Sequence, residues 1–367
     1  MTRARLKSGL AGAACRTGLD KVAGAINGRL RMPVIVGYHR VVEDFHLSSQ
    51  TSIPSLLITT QMLERQLDWI GRRHRFIDVG ELAQRLESGE ESGKPVAAVT
   101  FDDGYRDFYE IALPLLRRKG IPSALFVVTD LVGTARTQIH DRLYLLLKRR
   151  SAPVGELSPR LPHPYTGTPL PNISEMSPYD ATRALLEHVP LAVLEHVAMT
   201  LDSEDPLPPN LLRDMQSVDW ETLRSIRDAG VVIGSHTSGH VLMPNESQER
   251  IAHEAGNSRR QIESHLGMRV QHFAYPSGFF NADSVNAVAG AGYRCAYTTC
   301  SHRDPAFPML TLPRTLLWEK SCLDHRLDFS ESILRCQLRG AFDFWGGCKQ
   351  RHASRRTESP KRISAYA

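Results

Sequence analysis

Two adjacent carboxylates close an apolar run at Val96–Asp103, VAAVTFDD, and a glycine follows at Gly104. Successive side chains of a strand point to opposite faces, so Asp102 and Asp103 leave it in different directions. One is then free to ligate a metal while the other handles a proton. Simple helix capping is the competing explanation, but one aspartate suffices for a cap. Two acids at the end of a buried run favour chemistry.

A second cluster is Gly234-Ser235-His236-Thr237-Ser238-Gly239-His240. Histidines four apart lie on one side of a helical turn and can share a cation. Imidazole with carboxylate favours Zn²⁺, and Fe²⁺, Co²⁺ or Ni²⁺ fit the same donor types. A third is the turn Pro276-Ser277-Gly278 after Phe273-Ala274-Tyr275, whose backbone N–H groups suit an oxyanion. A fourth is His39, ending the run VIVGYH.

These residues need a scaffold that brings them together. Strands are expected at Val34–His39, Val96–Asp103, Ser123–Thr129, Val231–His236, His272–Gly278, Cys295–Thr299 and Thr311–Leu317. Most are continuously apolar, as in parallel strands buried on both faces. Helical patterns lie between them at Gln61–Arg72, Val79–Glu87, Phe108–Lys119, Trp220–Ala229, Glu246–Leu266 and Ala282–Ala291. Glycines Gly71, Gly120, Gly230, Gly267 and Gly292 are expected as helix stops. Alternating strands and helices mean α/β, here a barrel or a long open sheet. All four clusters fall at carboxyl ends of expected strands, the edge where such folds build sites.

Residues 140–217 break the rhythm, holding 11 of the 22 prolines. They read as an insertion: a helix at Ile139–Arg150, a Pro-rich loop to Asn172 and a helix near Tyr179–Met199. Leaving strand three at the site edge, the insertion is expected to shape substrate access. The division is a basic helical leader at 1–32, a barrel at 33–320 carrying the insertion, a helical extension at 321–345 and a basic disordered tail at 346–367.

Of the 367 residues, 41% are hydrophobic and 23% charged, a globular balance. The net charge of +5 is uneven: +6 over 1–31 and +5 over 346–367 leave −6 for the body. An acidic body with basic ends lacks the basic face of a nucleic-acid binder; the ends suit solubility first, and otherwise peripheral contact with an anionic membrane or polymer. Leu10, Ala14, Leu19, Val22 and Ile26 share one helical stripe, expected to dock on the fold. No run reaches the length of a membrane span, and Arg16, Asp20 and Lys21 interrupt the makings of a signal peptide. Six cysteines without a C-x-x-C pair exclude a disulfide scaffold and a zinc ribbon, so a cytoplasmic, reducing location is expected. There is no G-x-S-x-G elbow, P-loop or G-x-G-x-x-G, and His253-Glu254-Ala255-Gly256-Asn257 lacks the second histidine of a zinc helix.

The series TFDDGY, S-H-T-x-x-H and Y-P-x-G resembles the polysaccharide deacetylase family, the NodB-homology domain of carbohydrate esterase family 4, over about residues 33–320. Tyr38-His39-Arg40-Val41 and Phe273–Pro276 resemble its poly-N-acetylglucosamine deacetylase and exopolysaccharide-locus branch. The resemblance implies a distorted (β/α) barrel of about seven parallel strands and a metal-dependent hydrolase that deacetylates N-acetylated sugars of a glycan. It implies Asp102 as base, Asp103, His236 and His240 as metal ligands, and the Ser277 N–H as oxyanion donor. The family's Arg-x-Pro-Tyr-Gly is replaced by Ala274-Tyr275-Pro276-Ser277-Gly278, so the arginine that orients the base is missing. His325 matches the family's Leu-x-His acid motif poorly; His39, ending strand one as in members with a Tyr-His start, is the candidate acid or a residue that orients the substrate. Two other functions fit these departures: a deformylase or deacylase of a lipid-linked sugar, and a non-catalytic glycan-binding protein on the same fold.

Overall fold

The computed structural model describes residues 3–30, 32–89, 93–150, 173 and 175–343. The Pro-rich loop expected before Asn172 and the tail expected from 346 lie outside the described residues. Eleven strands are β1 (Val34–Tyr38), β2 (Arg40–Val42), β3 (Leu57–Thr59), β4 (Arg75–Phe76), β5 (Val96–Phe101), β6 (Ser123–Val127), β7 (Val232–Ser235), β8 (His272–Ala274), β9 (Cys295–Thr298), β10 (Leu312–Pro313) and β11 (Thr315–Leu316). The main sheet runs β10-β9-β8-β7-β6-β5-β1-β11, with β4 paired to β5. Its pairings are parallel throughout, and β2 and β3 form a separate parallel pair.

The path holds eight strands rather than about seven. The extra one arises at Thr311–Leu317, which divides at Arg314. β10 pairs with β9, whereas β11 pairs with β1 at the far end of the order. One short segment thus touches both ends of the sheet and brings it close to a closed (β/α) barrel. Arg314 is the residue at this seam, its N–H donating to the Thr298 carbonyl at 3.0 Å.

The two-residue period of a strand decides what fills the barrel. Ile35, Ala98, Ala124, Phe126, Ala274, Tyr297 and Leu312 form one packed cluster. Val36, Val99, Phe101, Leu125, Val127 and Phe273 belong to another, shared with the surrounding helices. Asp102 is in phase with Ala98 and Thr100, so it continues the inner row. Gly37 and Gly234 make room in that row. A Cβ on Gly234 would meet the Phe126 ring at 2.5 Å, and one on Gly37 would meet Leu316 at 2.5 Å.

Helices flank the sheet close to where their periodicity puts them. Gly120, Gly230, Gly267 and Gly292 follow helices with positive φ, as helix stops do. Gly71 does not; it is the last residue of helix Thr60–Gly71. The helix expected near Tyr179–Met199 is two, Pro178–His188 and Leu191–Glu204, because Pro190 cannot continue the first. The N-terminal segment is also two helices, Arg3–Thr17 and Leu19–Ile26, separated by Gly18 at φ 80°. Their expected apolar stripe does not dock: Leu10, Leu19, Val22 and Ile26 are exposed. Among the described residues no helix is long and apolar enough to cross a membrane.

Candidate active site

Among the described residues, five other than glycine have positive φ. Four of them, Asp103 (72°), Thr237 (69°), His240 (62°) and Ser277 (54°), lie at the carboxyl ends of β5, β7 and β8. Such conformations cost about 1–3 kcal/mol each and persist where the surroundings over-determine them. Their concentration on one barrel edge marks that edge as built for placement.

Asp103 is drawn out of the strand by this backbone. The Asp102 N–H still bonds the Tyr38 carbonyl at 2.9 Å, continuing the β1–β5 ladder. Asp103 then turns, and its side chain meets two imidazoles. The Nε2 atoms of His236 and His240 lie 3.6 and 3.3 Å from Asp103 Oδ1. One ligand atom from each of the three residues falls within 4.8 Å of the others, and all three are buried. Neither Asp103 oxygen has a hydrogen-bond partner, nor has His240 Nδ1. Burial, then the charges of Asp102 and Asp141, push the Asp103 carboxyl well above its usual range. A buried carboxylate with two orphaned oxygens beside two imidazoles fits a divalent cation, whose charge inverts that shift.

The imidazoles are set for ligation. His236 Nδ1 lies 2.7 Å from the Ala274 carbonyl, so it carries the proton and Nε2 is left with its lone pair. Burial holds His236 at about 4, against the pull of Asp102, so the ring is neutral at ordinary pH. Burial, His140 and His236 hold His240 well below its ordinary value. Glu254 supports the loop between them. Fully buried, it accepts the N–H groups of Ser238 and Gly239 at 2.9 and 2.8 Å.

Asp102 faces a different partner. Arg314 Nη1 and Nη2 donate to its two oxygens at 2.7 and 2.8 Å. Arg314 is fully buried; its Nη1 also donates to Thr100 at 3.0 Å, and its guanidinium lies over the rings of Phe126 and Tyr297. Burial works to raise the Asp102 pKa, but Arg314 and then His236 overcome it and hold the carboxyl at about 2. The arginine that the turn at Ala274–Gly278 lacks is thus supplied from the barrel seam. Its signal in the sequence is one cation inside an otherwise uncharged TLPRTLL.

His39 follows β1 directly, level with Asp102 at the end of the neighbouring strand, and is half-buried. Burial lowers it to about 4, with Asp102 opposing and His140, His236 and Arg314 assisting. Its chain neighbour Arg40 is tied to Asp107 at 2.8 Å and to Ser52 at 2.7 Å, which fixes the backbone past His39. Ser277 is exposed on the rim, three residues beyond Ala274, which accepts from His236. The Gly278 beside it cannot be replaced, since a Cβ there would strike Thr299 at 2.1 Å. His325 lies elsewhere, its N–H bonded to Ser8 of the N-terminal helix.

The insertion reaches the cluster itself. Its first helix, Ile139–Arg149, brings His140 to the cluster, with Nε2 3.8 Å from Asp103 Oδ2 and the ring 5.0 Å from that of His240. The Tyr105 hydroxyl lies 2.9 Å from His140 Nε2 and donates to Asp141 at 2.6 Å. A His140–Tyr105–Asp141 relay therefore borders the site. No sequence motif singled out His140, because it sits inside an ordinary helical pattern.

With this geometry in place, the sequence was compared with known proteins. A family profile described as polysaccharide deacetylase matches residues 89–165 and 172–296, more than half of the chain. The chain belongs to the polysaccharide deacetylase family. His39 and Arg314 both lie outside the stretches this family profile covers. This member of the family is similar to the poly-beta-1,6-N-acetyl-D-glucosamine N-deacetylase of Staphylococcus epidermidis, 29% identical over 123 residues, or 31% of this chain. The chain spans only 41% of that relative's length. Of solved structures, it resembles the Streptococcus pyogenes deacetylase PplD in complex with acetate, at TM-score 0.52 and 17% identity, covering 83% of this chain and 97% of that one. It also resembles IcaB from Ammonifex degensii, at TM-score 0.50 and 18% identity, covering 79% and 94%. At these identities the structural likeness is one of fold.

Proposed function

We propose that this polysaccharide deacetylase is a metal-dependent hydrolase that removes acetyl groups from N-acetylated sugars of a poly- or oligosaccharide, releasing acetate and a free amino sugar. The observation that carries this reading is the pairing of a clamped, ionised Asp102 with the buried Asp103–His236–His240 cluster. In it, Asp103, His236 and His240 hold a divalent cation, zinc by donor type. When bound, the ion polarises the acetyl carbonyl and acidifies the attacking water. Asp102 takes that water's proton, and Arg314 keeps it aimed and ionised until then. The Ser277 N–H donates to the oxyanion. His39, level with Asp102, takes up the proton that Asp102 removed from the water and delivers it to the departing amine, so nitrogen leaves neutral and Asp102 is restored. The catalytic unit in this reading is residues 33–320, with the helices Arg3–Thr17, Leu19–Ile26 and Glu331–Leu338 as additions to it.

A second reading, release of formyl or another acyl group from a lipid-linked sugar, is favoured by the exposed aliphatic residues of the N-terminal helices. Incubating zinc-loaded protein with N-acetylglucosamine oligomers, and separately with an N-formylated amino sugar, distinguishes the two. Acetate with stoichiometric new amine supports the first reading and formate alone the second. Glycan binding without either acid would leave a non-catalytic binding protein.

A further inference from the structure

The first thirty residues bury the wrong side for an ordinary docked helix. Asp20 is fully buried and ion-paired with Arg335 and Arg339 of helix Glu331–Leu338 and its end. Gly24 packs on Arg339, and Ala11 is buried beside Ile333 and Cys336. Contact with the fold is thus made by an ion pair and small residues. The large aliphatics point the other way: Leu6, Leu10, Leu19, Val22, Ile26 and Leu30 are all exposed, Ile26 at 75% and Leu19 at 60%. They are half of the large exposed hydrophobic residues among those described. On helix Leu19–Ile26 the period of 3.6 sets Leu19, Val22 and Ile26 directly opposite Asp20 and Gly24. A soluble surface does not gather six large aliphatics without a use for them.

Charge indicates what covers this face. Arg5, Arg16 and Lys21 are exposed on its flanks. Asp20, the one acid among residues 1–31, is buried and neutralised by two arginines. A second copy seated on this face would oppose cation to cation. An anionic lipid surface satisfies both features, taking the aliphatic side chains into its acyl boundary while the long cationic side chains reach its headgroups. The helices are 15 and 8 residues long, so they lie on a membrane and do not cross it.

We propose that the outer face of the helix pair Arg3–Thr17 and Leu19–Ile26 seats the protein peripherally on anionic membrane. The test is sedimentation of the full chain with vesicles of phosphatidylcholine containing 30% phosphatidylglycerol, and with pure phosphatidylcholine vesicles. Binding to the anionic vesicles is expected, weakened by raised salt. It should fall about tenfold or more in the Leu19→Ser/Ile26→Ser variant and severalfold in Arg5→Gln/Lys21→Gln. Both variants alter exposed side chains, and an unchanged thermal melt by circular dichroism certifies their folding. Wild-type binding by the folded serine variant, or equal binding to neutral vesicles, would overturn the proposal. So would failure to bind vesicles by a chain that is dimeric in light scattering and becomes monomeric in Leu19→Ser/Ile26→Ser, since the face would then be a self-interface.

Discussion

Arg314 holds both carboxylate oxygens of Asp102 from a position 212 residues away, at the seam where β10 and β11 bring the barrel towards closure. The same residue therefore sits at the closure of the sheet and holds the proposed base. Arg314→Lys keeps the charge but loses the two-pronged geometry. It should retain bound metal and lower kcat about 10–100-fold with little change in KM, an orientation effect of the usual size. Arg314→Met strands a buried carboxylate and should cost about 3–5 kcal/mol of stability, read from denaturant unfolding.

The pH dependence follows from the same pair. Asp102 sits at about 2 in the folded protein, below the ordinary 3.8. A depressed carboxylate contributes its stability in full above the unfolded value and loses it as pH falls through the folded one. This contribution should be constant above roughly pH 5 and disappear between there and about pH 1. An acid limb of kcat/KM caused by Asp102 is then expected only near pH 2. In Arg314→Lys the Asp102 limb should move upward from there; no upward movement would disconnect Arg314 from the base.

Metal and base should separate on mutation. Asp103→Ala and His236→Ala remove ligands and should abolish both metal binding and activity. Asp102→Asn is nearly isosteric and should keep the metal while kcat falls about 10²–10⁴-fold. Elemental analysis of the purified variants reads this directly. Metal lost from Asp102→Asn and kept in Asp103→Ala would exchange the roles of the two aspartates.

Glu254 touches no proposed ligand, yet it secures the loop that carries both histidines. Glu254→Gln replaces an acceptor with an amide and should weaken metal affinity about 10–100-fold, the usual effect of removing support behind a ligand. Competition titration against a zinc indicator would show it; unchanged affinity would confine Glu254 to a folding role.

Two histidines border the site, and they differ in leaving-group dependence. If His39 delivers the proton, His39→Ala should slow amide substrates by about 10²-fold or more and activated aryl acetates little, because an aryloxide leaves unaided. His140→Ala should then depress both substrate types alike by disturbing Tyr105 and Asp103. The opposite pattern would transfer the acid role to His140.

Much of this site is legible in the sequence because its parts are local. Asp102 and Asp103 adjoin, His236 and His240 are four apart, and each follows a run that can only be a buried strand. Arg314 is not legible that way. Its partner is distant in sequence, and a strand reading of Thr311–Leu317 says nothing about the break that turns Arg314 into the barrel. The same break explains the eighth strand. His140 is hidden for another reason: a proline-rich insertion looks peripheral, although its first helix packs against Asp103. For the N-terminal helices, periodicity reveals two faces but not which one meets the fold. There the buried Asp20, drawn by Arg335 and Arg339, outcompetes the aliphatic stripe.

The measurement that tests the account most directly is acetate release by the metal-free and the reconstituted protein. Chelator-treated protein should release no acetate from N-acetylglucosamine oligomers. One equivalent of zinc per chain should restore release, with one new amine formed for each acetate; it should restore no more than about a hundredth of that rate to Asp102→Asn and nothing to the His236→Ala/His240→Ala double variant. Undiminished release by fully metal-free protein, or no release by the folded, zinc-saturated wild type, would contradict the reading of Asp102, Asp103, His236 and His240 as a hydrolytic metal site.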